Sequence, residues 1–482
     1  MTERKTYNLF VDGNSIPSLS GERYEIINPA NGLVIASVSK AGTDDAELTI
    51  KSARSAFDEG PWARYTGRQR AKVLMRIASL IETHVDELAY LETINSGKPI
   101  NDATEQVLKS SACFEYYAGL ADKLWGATIP IEENLFAYTL REPIGVCLGI
   151  TPWNSPLILA SYKTAPALAV GNTVILKPAS KTPLTSIRLA EICMEAGIPP
   201  GVVNVLPGPG ATIGMSLAAH PGVDKISFTG DNKSGSAVMA AAAGTIKRVT
   251  LELGGKSPSL IFPDAEMDQA VPSSVRAIYS HAGQRCTARS RLLVHETIYE
   301  QFVERFVGQT KAIHVGDPLN VQTEMGPVIS LDQKKKILAY IEEGIRSGAQ
   351  LLYGGEPRDS LLQDGYYLLP AVFTNVENES SISQKEIFGP VVCILKFSDE
   401  SEAVHLANDT IYGLAASVWT NDLGRAHRMV KALRAGVISV NSVPVTYIEA
   451  PFGGYKQSGI GRELGLEGLL QFSETKSVFL RI

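Results

Sequence analysis

Of the five cysteines in the chain, Cys286 has the setting in which a thiol can act as a nucleophile. It lies in Gly283-Gln284-Arg285-Cys286-Thr287, where a small residue and a cation surround the sulfur, and Arg285 would favour the thiolate. An inert buried thiol fits the same five residues. Glu252 stands between Leu251 and Leu253 and leads into Gly254-Gly255-Lys256. A carboxyl in such apolar surroundings gains proton affinity and suits a general base; a partly exposed strand residue fits as well. Asn154, in Thr151-Pro152-Trp153-Asn154-Ser155-Pro156, is held between two prolines. A fixed side-chain amide there suits a developing oxyanion, although Asn beside Pro also marks an ordinary turn.

Two glycine-rich turns follow strand-like runs and open helices, the geometry in which backbone N–H groups hold a pyrophosphate. The first is Gly208-Pro209-Gly210-Ala211-Thr212-Ile213-Gly214, one residue off the dinucleotide spacing G-x-G-x-x-G. The second is Phe228-Thr229-Gly230 with Gly235 beyond it. Each fits a phosphate site and each fits a plain structural turn.

The elements that must position these residues are α/β in texture. After a strand-like opening at Tyr7 to Val11, residues 43 to 126 carry helical periodicity; Arg70 to Ala78 sets apolar residues at i, i+3, i+4 and i+7 with basic residues opposite. From Pro143 onward short β-branched runs alternate with helices. Strands are predicted at Val146 to Thr151, Thr173 to Lys177, Val202 to Leu206 and Lys225 to Phe228, the pattern of βαβ units and a parallel sheet. The order repeats after Lys256, with strands at Pro258 to Phe262 and Ser290 to Val294 and a helix from Thr297 to Ile313, so a second α/β domain is expected. Thr475 to Leu480 reads as a strand with no partner nearby in sequence.

At 482 residues the chain is expected to hold two or more domains. A net charge of −6 with no basic stripe gives no hold for nucleic acid or anionic lipid. No run reaches the roughly 18 apolar residues of a membrane span and the amino terminus lacks a signal-peptide core, so a cytoplasmic protein with reduced thiols is expected. The cysteines are odd in number and never in C-x-x-C spacing, which argues against disulfides and a zinc site; no metal is expected.

Taken together the motifs resemble the aldehyde dehydrogenase superfamily, in collinear order over essentially the whole chain. They are Thr151-Pro-Trp-Asn154, Gly171-Asn-Thr173 with Leu176-Lys177-Pro178, Phe228-Thr-Gly230, Leu251-Glu252-Leu-Gly-Gly-Lys256, Gly283-Gln-Arg-Cys286, Glu386-Ile-Phe388-Gly-Pro390, and Pro451-Phe-Gly-Gly-Tyr-Lys456 with Gly461-Arg-Glu463. The resemblance implies NAD(P)-dependent oxidation of an aldehyde to a carboxylic acid. Cys286 would form a thiohemiacetal and then a thioester, Asn154 would hold the oxyanion, and Glu252 would activate the hydrolytic water. Trp153 would line the adenosine side of the cofactor cleft, Lys177 would touch the adenine-side ribose, and Glu386 with Phe388 would orient the nicotinamide side. Ser180, Gly210, Phe228, Gly230, Asp231, Gly235 and Leu253 complete the implied cofactor set, and Lys163 and Glu463 match positions given relay or supporting roles. The implied architecture is a Rossmann-like cofactor domain (1–120 and 144–253), a catalytic domain (254–453) and a small β bridging element (121–143 and 468–482) that pairs with a neighbour's terminal strand in a homo-oligomer, dimer or tetramer.

Two places depart from the family pattern. Ser180, followed by Lys181, stands where NAD-preferring members often carry an acid that repels a 2′-phosphate, so NAD or NADP is expected as cofactor. Asp231 replaces the usual Ser and puts a carboxylate near the pyrophosphate, unless Lys233 compensates or the side chain points away. The implied substrate channel is Ser155, Leu159, Tyr162, Arg285, Thr287, Tyr447 and Glu449. A small Ser155 predicts a wide tunnel and a broad aliphatic and aromatic range; Arg285 suits a semialdehyde carboxylate, and Tyr447 with Glu449 an aminoaldehyde of the betaine-aldehyde kind. A non-catalytic protein reusing the fold is the contrasting expectation, and the presence of Cys286, Glu252 and Asn154 together opposes it. Glu252 also favours hydrolysis over acyl transfer to coenzyme A.

Overall fold

The computed structural model describes residues 5–357, 362, 364–442 and 446–482. Its centre is an eight-stranded sheet in the order Gly459–Ile460, Arg248–Glu252, Lys225–Thr229, Val146–Ile150, Thr173–Lys177, Val203–Val205, Leu9–Val11, Asn14–Ile16. The five central strands are parallel and the pairs at both edges antiparallel. Val146–Ile150, Thr173–Lys177 and Lys225–Thr229 are buried along their whole length, as the continuous β-branched runs require of a sheet covered on both faces. The predicted opening strand is in fact two. Lys5–Tyr7 joins a separate three-stranded sheet and Leu9–Val11 the main one, because the chain changes sheets at Asn8.

The helical stretch resolves into Thr43–Asp58, Gly67–Thr83, Val85–Ser96 and Ile100–Leu120. On Gly67–Thr83 the residues Val73, Leu74, Ile77 and Ile81 face the core. Arg70, expected on the polar side, is buried instead: its Nε donates to the carbonyl of Ala169 at 2.9 Å, so the guanidinium ties this helix to the end of Pro156–Val170.

The second sheet runs Gln350–Gly355, Leu369–Thr374, Val391–Phe397, Arg291–His295, Pro258–Ile261, Ala415–Trp419, Val437–Val440, parallel except for its first pair. It has its own apolar core. The expected helix at 297–313 is Tyr299–Ala312, preceded by one 3₁₀ turn at Glu296–Ile298.

The carboxyl-terminal strand corrects an expectation. Ser473–Arg481 pairs antiparallel with Leu135–Pro143 of the same chain over nine residues, from Ser473 opposite Pro143 to Arg481 opposite Leu135. The bridging segment thus finds its partner within the chain, more than 300 residues away in sequence. Thr128–Ile129 completes this sheet, whose other edge is Ser473–Arg481 itself.

Candidate active site

Asn154 lies just past the carboxyl end of Val146–Ile150, in the turn that Pro156 closes by occupying the first helical position of Pro156–Val170. This helix start is clamped from the helical layer. The buried Glu92 accepts hydrogen bonds from the Leu157 amide at 3.1 Å and the Thr185 hydroxyl at 2.5 Å, and its other oxygen faces the Lys98 ammonium at 3.6 Å. Asn154 Nδ2 donates to the Gln284 carbonyl at 2.9 Å, two residues before Cys286, and an amide carries a second N–H.

The cysteine loop is held in an unusual backbone. His281, Ala282 and Gly283 are consecutive left-handed residues with φ of 51°, 53° and 69°, and only the last is a glycine. At Gly283 a Cβ would stand 2.1 Å from the Gly389 carbonyl oxygen, so the cysteine loop lies directly on the Glu386-to-Pro390 loop. Gln284 fixes the turn from its other side, accepting from the Ile329 amide at 2.9 Å. Phe388 is itself left-handed, with φ 56°, and Gln333 holds the Phe388 and Ile387 carbonyls at 2.8 and 3.2 Å.

Cys286 is partly exposed, while Cys113, Cys147, Cys193 and Cys393 are buried; all five are free thiols. Burial pushes the Cys286 thiol up to about 12, the carboxylates of Glu386 and Glu252 push the same way, and Arg285 and the Thr287 amide oppose them without prevailing. The resting sulfur is therefore a thiol. Arg285 pulls toward the thiolate as expected, but burial and the two carboxylates outweigh it.

Glu252 ends its strand with its side chain buried, and neither carboxyl oxygen has a hydrogen-bond partner. Burial raises its proton affinity well above the ordinary carboxylate range, Glu463 raises it further, and Lys163 and Arg462 offset part of that rise. A Cβ on Gly453 would stand 2.8 Å from Glu252 Oε1, so glycine there leaves the carboxyl its space. Beyond the strand, the backbone cradles Glu386: the Gly255 amide donates to Glu386 Oε1 at 3.0 Å, and a Cβ on Gly254 would come within 2.1 Å of Oε2. Burial brings Glu386 up to about 7.

At the carboxyl end of the central strand Thr173–Lys177, Lys177 is a buried ammonium whose Nζ donates to the Gly208 carbonyl at 3.1 Å, and Ser180 Oγ donates to the same oxygen at 2.9 Å. Burial lowers Lys177 to about 8. Gly210 opens the turn Gly210–Gly214 beside this ammonium, with a Cβ position 3.8 Å from Nζ. Asp231 caps helix Asn232–Ala243, accepting from the Ser234 amide at 3.0 Å and its hydroxyl at 2.8 Å, so its carboxylate is spent on the helix start. Among the described residues no His, Cys, Asp or Glu cluster could hold a metal.

The model of the aldehyde dehydrogenase family matches residues 16–478. The chain belongs to the aldehyde dehydrogenase family. It is 45% identical over 474 residues to a betaine aldehyde dehydrogenase of Bacillus subtilis (strain 168), covering 98% of this chain and 96% of that one. It is also 45% identical over 481 residues to a mitochondrial aldehyde dehydrogenase of Homo sapiens, covering 98% and 92%. A crystal structure of betaine aldehyde dehydrogenase from Staphylococcus aureus in complex with NAD+ superposes with a TM-score of 0.97 at 40% identity, covering 98% of this chain and 95% of that chain. The protein is accordingly an oxidoreductase that oxidises aldehydes with a nicotinamide cofactor.

In this aldehyde dehydrogenase the expected cofactor residues have the following surroundings. Trp153 meets Phe388 edge to face with ring centroids 5.1 Å apart. Gly235 is buried against Leu253, where a Cβ would stand 2.6 Å from Cδ2, so it serves helix-to-strand packing; Phe228 likewise lies in the apolar core, and a Cβ on Gly230 would meet its ring at 2.5 Å. Ser155 and Tyr162 are buried, Leu159, Arg285 and Thr287 half-buried, and Tyr447 and Glu449 exposed. Tyr162 faces both Cys286 and Arg285, and the half-buried Tyr116 faces Glu449. Glu92, Gln333 and Tyr116 escaped the sequence reading because buried or half-buried polar residues on helices and loops carry no motif of their own, and Gln284 was read only as part of the cysteine motif, without a role.

A thiol whose proton is held this firmly gives a pH test. In the free enzyme the thiolate fraction grows about tenfold per pH unit below its pKa, so alkylation of Cys286 by iodoacetamide rises in that proportion between about pH 7 and 9. Mass spectrometry of the modified peptide reads the rate, and a plateau in that range would mean a resting thiolate.

Proposed function

We propose that the enzyme works through a covalent thioester on Cys286 that water hydrolyses with Glu252 as general base. The observation that carries this reading is the Glu252 carboxyl itself, buried, without a hydrogen-bond partner and facing the cysteine. A carboxyl so placed has a high proton affinity and free lone pairs, the two properties a base for water needs. Cys286 releases its proton to water as the sulfur adds to the aldehyde carbon, and the alkoxide of the thiohemiacetal takes hydrogen bonds from the second N–H of Asn154 and from the Cys286 amide. The bound nicotinamide supplies the acceptor for the hydride that leaves this carbon. Lys177, Glu386 and the Trp153–Phe388 ring pair fit such a dinucleotide: a buried cation with one hydrogen bond, a carboxylate held to the backbone, and an aromatic wall. Ser180 leaves no acid opposite a 2′-phosphate, which favours acceptance of NADP beside NAD.

We assign residues 1–120 and 144–253 to the cofactor domain, 254–453 to the catalytic domain, and 121–143 with 468–482 to the oligomerisation element; the division of the strands among four sheets supports this. Gly459–Ile460, outside these bounds, adds to the edge of the first sheet. Two open edges, Ser473–Arg481 and Val437–Val440, and the exposed Phe136, Phe479, Leu480 and Ile482 support a homodimer or a dimer of dimers. Among the described residues no helix is long and apolar enough to cross a membrane, and five free thiols suit the cytoplasm.

The substrate range is broad, aliphatic and aromatic, on the strength of the small Ser155 beside the nucleophile loop. A second reading, a cationic aldehyde, is favoured by Tyr116 and Glu449 facing one another beside the exposed Tyr447, and by the relatives named betaine aldehyde dehydrogenases. Arg285 facing Asp102 weakens the semialdehyde alternative.

Three outcomes are expected. Cys286→Ala abolishes formation of reduced cofactor, whereas Glu252→Gln keeps one burst per active site and loses the later turnover by about 100-fold or more; stopped-flow absorbance separates the two, and sustained turnover in Glu252→Gln would refute the assignment. Glu449→Gln raises the KM for betaine aldehyde several-fold and leaves that for a neutral aldehyde unchanged if the cationic reading is right; equal values sink it. Phe479→Asp with Leu480→Asp lowers the mass measured by light scattering toward the 51.9 kDa of one chain, and an unchanged mass would place the interface elsewhere.

A further inference from the structure

Cys286 and Thr287 are the two central residues of a turn that the Ala288 amide closes on the Arg285 carbonyl at 3.0 Å. A turn closed this way uses neither central amide in its own hydrogen bond. Both amides serve the chemistry instead: the Cys286 amide is the oxyanion donor assigned above, and the Thr287 amide faces the sulfur. The turn therefore has to be held by its carbonyls. The Gln284 carbonyl, just before it, is taken by Asn154 at 2.9 Å, and the Cys286 carbonyl oxygen lies against Gly255, where a Cβ would stand 2.7 Å away.

The Thr287 carbonyl is taken by Arg289. The guanidinium reaches back over two residues, and its Nη1 donates to the Thr287 oxygen at 2.6 Å. The rest of the fork is fixed to the second sheet. Nε donates to Ser417 Oγ at 2.8 Å and Nη2 to the Ala416 carbonyl at 3.2 Å, both on the strand Ala415–Trp419. The Arg289 amide donates to the Ala277 carbonyl at 3.2 Å, which ties the root of the side chain to helix Met267–Tyr279. A planar, rigid head thus connects the nucleophile turn to a buried strand.

Packing alone does not account for an arginine here. It is fully buried, and its acceptors are a hydroxyl and two carbonyls rather than a carboxylate, so no hydrogen-bonding partner neutralises its charge. Arg291, two residues on, is buried too, but its donors go to the carbonyls of Lys256, Leu406 and Ala407 and to Asn378, none of them in the turn. The charged and titratable groups facing Arg289 are Arg285 and Cys286. Those facing the sulfur include Glu386, Glu252 and Arg285.

We propose that Arg289 is a positioning residue: by holding the Thr287 carbonyl against Ala415–Trp419 it fixes the direction of the Cys286 sulfur and of the two amides beside it, and so sets the rate at which the sulfur attacks the aldehyde. This rests on Cys286 being the nucleophile. The bonds of the guanidinium end at Thr287, Ala416 and Ser417, so affinity for the cofactor does not depend on it.

Arg289→Met keeps the apolar stem and removes all the bonds of the guanidinium. In stopped flow its first turnover should form reduced cofactor about tenfold or more slowly, with the dissociation constant for NAD unchanged. Alkylation by iodoacetamide, in which the sulfur displaces iodide, should also slow, because a cation leaves the neighbourhood of the thiol. A turn that had merely loosened would expose the sulfur and react faster. Arg289→Lys, which keeps one charged donor for the Thr287 oxygen, should recover part of the rate. Ser417→Ala removes the Nε anchor and should slow the first turnover about two- to threefold, with no further effect in the Arg289→Met background. Should Arg289→Met not fold, Arg289→Lys and Ser417→Ala decide alone. A first turnover as fast as in the unaltered enzyme, whatever the melting temperature, a loss of NAD affinity that matches the slowing, faster alkylation, or additive effects at the two positions would each overturn the proposal. Turnover surviving in Cys286→Ala would instead overturn the assignment of the nucleophile, a separate result.

Discussion

The hydrogen bond from Asn154 to the Gln284 carbonyl joins two sheets that otherwise keep separate cores. Asn154 belongs to the end of a strand in the first sheet, and the nucleophile to a loop that leads into the second. An oxyanion forms within about 3 Å of both its donors or is not stabilised at all, so the register between the sheets must hold to a fraction of an ångström. The surroundings are arranged to that end. Glu92 anchors the helix beginning next to Asn154, and Gln284 and Gln333 hold the two loops that meet at Gly283 and Gly389.

The same constraint explains why strain and buried charge gather here. His281 and Ala282 take left-handed conformations that cost an L-residue about 1–3 kcal/mol each, and Glu252 lies buried with no hydrogen bond. Neither feature stabilises the fold. Both are sustained by surrounding packing, and both serve the site: the first aims the sulfur, and the second leaves a carboxyl hungry for a proton. The short run Leu253-Gly254-Gly255 then leads from the strand of Glu252 toward the second sheet, so the Glu252 carboxyl and the backbone that cradles Glu386 are set by one crossing of the chain.

Much of this was legible from local pattern. Four of the five central strands of the first sheet alternate with helices as their β-branched runs predict, the exception being Arg248–Glu252, and Cys286, Glu252 and Asn154 carry recognisable surroundings. Long-range relations were not legible. Ser473–Arg481 pairs with Leu135–Pro143 because the two strands meet in space, which no nearby residue signals. Trp153 faces Phe388 for the same reason. The charge state of Cys286 was misjudged from the adjacent Arg285 because the sum of burial and two carboxylates, all set by tertiary packing, outweighs one neighbour in sequence. Lys225 and Glu92 read as ordinary charged residues until the register of a strand and the start of a distant helix show what they face.

Phe472 gives the carboxyl-terminal strand a meaning beyond pairing. Its ring covers the Lys225 ammonium and its carbonyl accepts from Asn172 Nδ2 at 2.9 Å; the next residue begins Ser473–Arg481, at the sheet's outer edge. The tail is therefore a stopper as well as a strand. Peeling it back would admit water to the buried Lys225 and its partner Thr250, so local fraying at the rim of the molecule and leakage of solvent toward its buried charges are one and the same event.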